Sequence, residues 1–206
     1  MNNYAAIVKQ NLQELFENRP ADLASLLPAT AVGDGFEFPA FGYRCRLAPG
    51  GILLDGRPEA GVLGLLVSLY VRHASEGSIQ VEPLQSFKDF PGSMPYAGAF
   101  TTHTEIPLIA RLQDIEASGA RILAALDGAP YEAGDFAYLL RPLPKVALVY
   151  VFYRPDEEFP ASVNCLFSYN ARNFLPLDAL ADTGEYTSRR MLDLAANEAF
   201  QNLTES

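Results

Sequence analysis

Three consecutive acids, Asp156, Glu157 and Glu158, stand in the stretch RPDEEFP between two of the most apolar runs of the chain. Adjacent carboxylates can hold a hard cation or move a proton. A hard cation wants six or more oxygens, so Asn164 or Asp178 would have to fold in beside the run. His73 and His103 are the side chains able to relay a proton near neutrality. The same stretch also reads as a polar turn. Pro155-Asp156 opens turns well, and charge at a strand connection discourages edge-to-edge aggregation. The residues favour a turn first and a site second.

Softer chemistry has less support. The two cysteines and two histidines fall at positions 45, 73, 103 and 165. No CxxC, HxxxH or HExxH spacing brings them into pairs, so no metal site is expected. The histidines read more simply as helix-end or core residues. There is no GxSxG elbow and no GxxxxGK[ST] phosphate loop. GDGFEF lacks the third glycine and the preceding strand of a dinucleotide site, and the sequence names no cofactor.

Composition limits the partners. The chain has 206 residues, of which 49% are hydrophobic and 19% charged, as in ordinary globular proteins. That length fits one domain, expected over 1–206, burying roughly 70% of its unfolded surface. The formal charge of −10 opposes nucleic-acid phosphates and anionic lipid. Twelve of the fifteen basic residues are arginine. The start has no basic leader followed by an apolar core, and the longest apolar stretch, 60–71, is too short to span a bilayer. Cys45 and Cys165 make no disulfide framework, so a reducing cytoplasm is expected.

These groups must be mounted on elements legible from periodicity. Tyr4, Ile7, Val8, Leu12, Leu15 and Phe16 share a helical face, with Asn2 or Asn3 as cap and NRP at 18–20 as stop. A short helix with Leu23, Leu26 and Leu27 inward follows. Between 36 and 56 the period changes to two: in YRCRL, Tyr43, Cys45 and Leu47 face one way, Arg44 and Arg46 the other. A core helix is expected from Pro58 to Ala74, with Gly61, Gly64 and Ser68 as a narrow stripe of small residues and His73 in its last turn. Residues 75–103 read as loop. Thr104 caps a helix to about Ala117, with Pro107 in its first turn, and another helix ends near Gly128. The stretches DFAYLL, KVALVYVFYR and ASVNCLFSYN are strands, the middle one apolar enough to be covered on both faces. From Leu177 the chain returns to helix, with Thr183 as a cap for a final segment. The class is α+β: a mainly antiparallel sheet of about six strands, with N-terminal, middle and C-terminal helices packed on it.

The run PKVALVYVFYRPDEEFPASVNCLFSYNARNFLPLDAL resembles the prokaryotic family catalogued as domain of unknown function 3786. SLYVRHASEG, SFKDFPG and GDFAYLL with Gly134-Asp135 resemble it in the same order, so the likeness runs from about Ala21 onward. The resemblance implies no established activity. Some members join an iron–sulfur domain, which implies a place beside redox or one-carbon metabolism in anaerobic bacteria and methanogens. This chain has no such cysteine cluster. It carries Phe152-Tyr153 where family members have a tryptophan, and Ser168 where they have an aspartate.

Three functions follow as expectations. The absence of nucleophile, phosphate and zinc signatures favours a non-catalytic small-molecule-binding or accessory protein. The alternatives are a carboxylate enzyme, with or without Mg²⁺, using Asp156 and Glu158 with a histidine, and a subunit of a larger assembly with an apolar patch around 87–100. Partners are a small molecule or a protein, with no nucleic acid or membrane, and the chain is a monomer or homodimer.

Overall fold

The computed structural model describes residues 3–18 and 20–204, with side chains as far as Ala196. Helix α1, Tyr4–Glu17, buries Val8, Asn11, Leu12 and Leu15. Asn3 occupies the cap position without a side-chain bond; Asn2 and Arg19 lie outside the described residues. A single turn, α2 (Leu23–Leu26), seats Leu23 in the core.

The period-two segment folds as a meander of β1 (Thr30–Val32), β2 (Gly35–Ala40), β3 (Tyr43–Ala48), β4 (Gly51–Leu54) and β5 (Arg57–Pro58). Alternation explains its faces. Cys45 and Leu47 are fully buried, whereas Arg44 and Arg46 point outward to Glu37 on the next strand, at 2.6 and 3.5 Å. Two connections, Phe41-Gly42 and Asp55-Gly56, have positive φ at both central residues, the geometry that lets a two-residue hairpin follow strand twist. Pro58 closes this sheet as an edge residue, where a missing N–H costs no ladder bond. Helix α3 therefore starts later than expected, at Val62, and runs to Arg72. Its small stripe serves two neighbours. A Cβ at Gly64 would meet the Glu59 carbonyl at 2.6 Å, and Ser68 accepts a hydrogen bond from Asn11 of α1 at 2.8 Å.

After β6 (Gln85–Ser86) the chain makes short helices: α4 (Ala97–Phe100), α5 (Ile106–Ile109), α6 (Leu112–Ala117) and α7 (Gly119–Ala125). A wide π-type turn, Thr101–Glu105, joins α4 to α5. The expected helix capped by Thr104 is thus replaced by a helical run that begins earlier and is broken. Pro107 supplies the reason: without an N–H, and with its ring against the carbonyl four residues back, it cannot continue a regular ladder. The Ile106 N–H instead reaches the Thr101 carbonyl, five residues back.

A second sheet holds β7 (Ala129–Tyr131), β8 (Phe136–Leu143), β9 (Val146–Tyr153) and β10 (Ser162–Phe167), in the order β6-β10-β9-β8-β7, all antiparallel. The fold is α+β and antiparallel, but the described strands divide into two five-stranded sheets rather than one of about six. The meander pairs only with itself, and Phe41 N–H to the Pro142 carbonyl, 2.6 Å, ties it to the second sheet. β9 is buried from Val146 to Phe152. One of its faces meets the main core; the other, with Val149 and Val151, is covered by Leu84, Tyr131 and Ala133. The main core runs from Val8 to Ala195 and draws on both sheets. Helix α8, Leu177–Thr204, closes the fold as one continuous element. Thr183 is an interior residue of it, not a cap; its hydroxyl donates to the Ala179 carbonyl at 2.7 Å.

Candidate functional site

Helix α8 begins just after Pro176. Asp178 falls in its first turn, where a carboxylate favours the helix dipole, and its Oδ1 accepts the Ala179 N–H at 2.9 Å. Asp182 and Glu185 follow at i+4 and i+7, so three acids share one stripe. Facing that stripe is the wide turn forced by Pro107, with His103 and Thr104. Together they enclose a cleft of about 250 Å³ whose floor is Phe87, Phe100, Leu177 and Ala181, with Tyr96 at the side.

The floor is rigid for identifiable reasons. Phe100 stacks on Phe87 at 4.4 Å and leans on Phe167 at 5.7 Å, contacts worth about 0.5–1.5 kcal/mol each beyond area burial. Gly184 lets α8 approach this far, since a Cβ there would lie 2.7 Å from the Phe100 ring. Beneath, the Ser188 hydroxyl lies within hydrogen-bonding distance of the Thr104 carbonyl (2.8 Å) and the Tyr150 hydroxyl (3.1 Å). Tyr150 itself donates to the Gly184 carbonyl at 2.8 Å, and full burial pushes its phenol well above the usual range. Glu105 accepts the Cys165 N–H at 2.9 Å, fixing the turn to β10.

The cleft is electrically unbalanced. No lysine or arginine is among its lining residues. Glu185 pairs with Arg189, but no basic side chain among the described residues pairs with Asp178 or Asp182. Burial raises the Asp182 carboxyl above the ordinary aspartate range, and Glu185 and Asp178 push the same way. Thr104 is fully buried, and its hydroxyl has no partner. Such a cleft can seat a small cation with an apolar body: carboxylates on one wall, aromatic rings below. Among the described residues no group of three or more His, Cys, Asp or Glu has the geometry to hold a metal ion.

The sequence candidates are scattered. His103 and Asp178 meet in this cleft, and its lining includes none of Asp156, Glu157, Glu158, Asn164 and His73. The three acids of RPDEEFP are all exposed, on the β9–β10 connection. Asp156 accepts the Phe159 and Glu158 N–H groups, both at 2.8 Å, and these bonds lower its pKa. That is the work of a turn residue. Asn164 is exposed on β10, opposite Val151. His73 ends α3, exposed, with Nδ1 2.8 Å from the Leu69 carbonyl; a carbonyl only accepts, so Nδ1 carries the proton. Both cysteines are free and buried, and burial pushes the Cys45 thiol up to about 12. Phe87, Phe90 and Phe100 are core residues, so the apolar stretch 87–100 presents mainly Met94 and Tyr96 to solvent, 73% and 59% exposed. Sequence reasoning missed Asp182, Glu185, Tyr96 and Thr104. The i, i+4, i+7 spacing was the available signal, but an acidic helical stripe ordinarily means a solvated face.

Fold and site together define an α+β protein with a small, acid-walled, aromatic-floored cleft. The chain belongs to the family described as Domain of unknown function (DUF3786), whose model matches residues 4–190. The match begins earlier than the Ala21 suggested by the motifs, taking in α1. Ser168, where the resemblance places an aspartate, is fully buried with an unpartnered hydroxyl. No curated protein matches the chain, and no solved structure does. No described helix is long and apolar enough to cross a membrane.

Proposed function

We propose that the protein binds a small organic cation, an amine carrying an apolar group, in the cleft between the wide turn and α8. The observation that carries this is the pairing of an acid wall, in which Asp178 and Asp182 have no basic partner among the described residues and Asp182 is held above its ordinary range, to a stacked phenylalanine floor. An apolar body contributes about 0.8 kcal/mol per buried CH₂, and the ammonium adds charge-assisted bonds that a neutral analogue lacks. For a ligand of the size of benzylammonium, these amount to about 5 kcal/mol, a Kd on the order of 0.2 mM. Binding without chemistry accounts for the absence of any nucleophile motif, and the RPDEEFP acids serve as a turn.

Melting in the presence of three near-isosteres tests this. At 10 mM, benzylammonium is expected to raise Tm by about 5 °C, while benzyl alcohol and benzoate leave it unchanged. Equal shifts from all three, or none from benzylammonium, would remove the reading.

A further inference from the structure

Lys145 is the one charged side chain in the buried class among the described residues, 6% exposed. It sits in the tight turn between β8 and β9. Its Nζ donates to the Ser75 carbonyl at 2.6 Å and lies 5.4 Å from the centre of the Phe174 ring. No carboxylate of the described residues comes within ion-pair distance of it. A buried ammonium without a counter-ion carries a desolvation penalty, and a fold could avoid it with any apolar residue of similar length. Burial lowers the Lys145 pKa, with Glu76 opposing. An amine so placed is nucleophilic in the fraction that is unprotonated, and burial enlarges that fraction.

Lys145 lines a cleft of about 640 Å³, which shares no lining residue with the acidic cleft on α8. Leu26, Pro28, Ile79 and Pro144 supply apolar wall; Asp22 and Glu76 are the acids. The loop that carries Ser75 is held in place. The Ser75 hydroxyl donates to the Asn173 carbonyl at 3.1 Å, and the Asn170 amide donates to the Ser78 carbonyl at 2.9 Å. The Gln80 N–H returns to the Asn170 side chain, also at 2.9 Å. The carbonyl that orients Nζ is therefore fixed.

We infer that Lys145 is a carbonyl-capturing amine, taking a small neutral aldehyde in this cleft as a reversible imine. The Nζ lone pair forms a bond to the carbonyl carbon, and the carbonyl oxygen takes up a proton. Nitrogen loses one proton to give the carbinolamine; the hydroxyl then takes up a second proton and leaves as water, nitrogen loses its remaining proton, and C=N remains. Amine and aldehyde give imine and water, with no oxidant or reductant consumed. Asp22 and Glu76 are the groups in the cleft able to pass these protons. The same carboxylates repel anionic carbonyl compounds such as keto acids, which selects a neutral aldehyde.

Lys9 and Lys88, both exposed, provide controls inside the same molecule. The full chain is incubated at pH 7 with butanal and sodium cyanoborohydride, and the alkylated lysines are timed by peptide mass spectrometry. Lys145 is expected to be labelled at least about tenfold faster than Lys9 and Lys88. Labelling of Lys145 no faster than the two exposed lysines would overturn the inference and leave it a structural cation. Neither result bears on the α8 cleft.

Discussion

Asp182 is a half-buried carboxyl whose ionisation is opposed by burial and by its acidic neighbours Glu185 and Asp178. A carboxyl whose folded pKa is raised disfavours the charged form in the native state. Below the ordinary aspartate range both folded and unfolded chains are protonated, and nothing is lost. As pH rises through the raised value, the native state must carry a charge that the unfolded chain carries more easily, so stability falls. Asp182→Asn keeps the shape and removes that charge. The variant is expected to melt above the wild type at pH 7 and to coincide with it near pH 3, as followed by circular dichroism. A variant less stable at pH 7 would mean that the carboxylate makes a favourable contact. Single residues were only partly legible beforehand. The RPDEEFP turn and the helix-end role of His73 follow from local chemistry that needs no tertiary partner. The raised acidity of Asp182 does not, because it depends on which wall packs against its stripe.

At the scale of elements, α8 and the wide turn make the cleft, and Gly184 sets their separation. Alanine is the better helix former by about 1 kcal/mol, so a solvated helix would gain from Gly184→Ala. Here the added methyl meets the edge of Phe100 and the Thr104 methyl, at 2.7 and 3.2 Å. Overpacking of that kind costs about 1–3 kcal/mol and outweighs the propensity gain. Gly184→Ala is therefore expected to lower stability in urea unfolding; a rise would show that the seam is loosely packed. Elements with a strong period were readable from the sequence, notably α1, the alternating β3 and the doubly covered β9. Those set by a partner were not. Pro107 does stand in the first turn of a helix, α5, but nothing local shows that a helical run already begins at Ala97 or that the α5 start is not Thr104. Pro58 looked like a helix start because edge position is a property of the sheet, not of the residue.

Across the whole molecule, residues 87–105 meet α8 on a main core that draws on both sheets. Helices and second-sheet strands pack on one core, and the first sheet covers the other end with α1 and α3. Pairing order between distant strands leaves no local mark, so a count of strand signals could give the class but not the division into sheets. The net charge of −10 adds a field that draws cations toward the surface; the cleft gives that field one apolar-floored place to act. Two acidic features therefore compete as the place where a cation settles: the stripe of α8 that lines the cleft, with Asp182 and Glu185 half-buried, and the exposed turn at 156–158. Amide chemical-shift mapping of the ¹⁵N-labelled chain during a benzylammonium titration separates them. The account expects saturable shifts concentrated in residues 96–105 and 177–185, with 156–159 silent. Shifts centred on 156–159, or spread without saturation over the acidic surface, would contradict it.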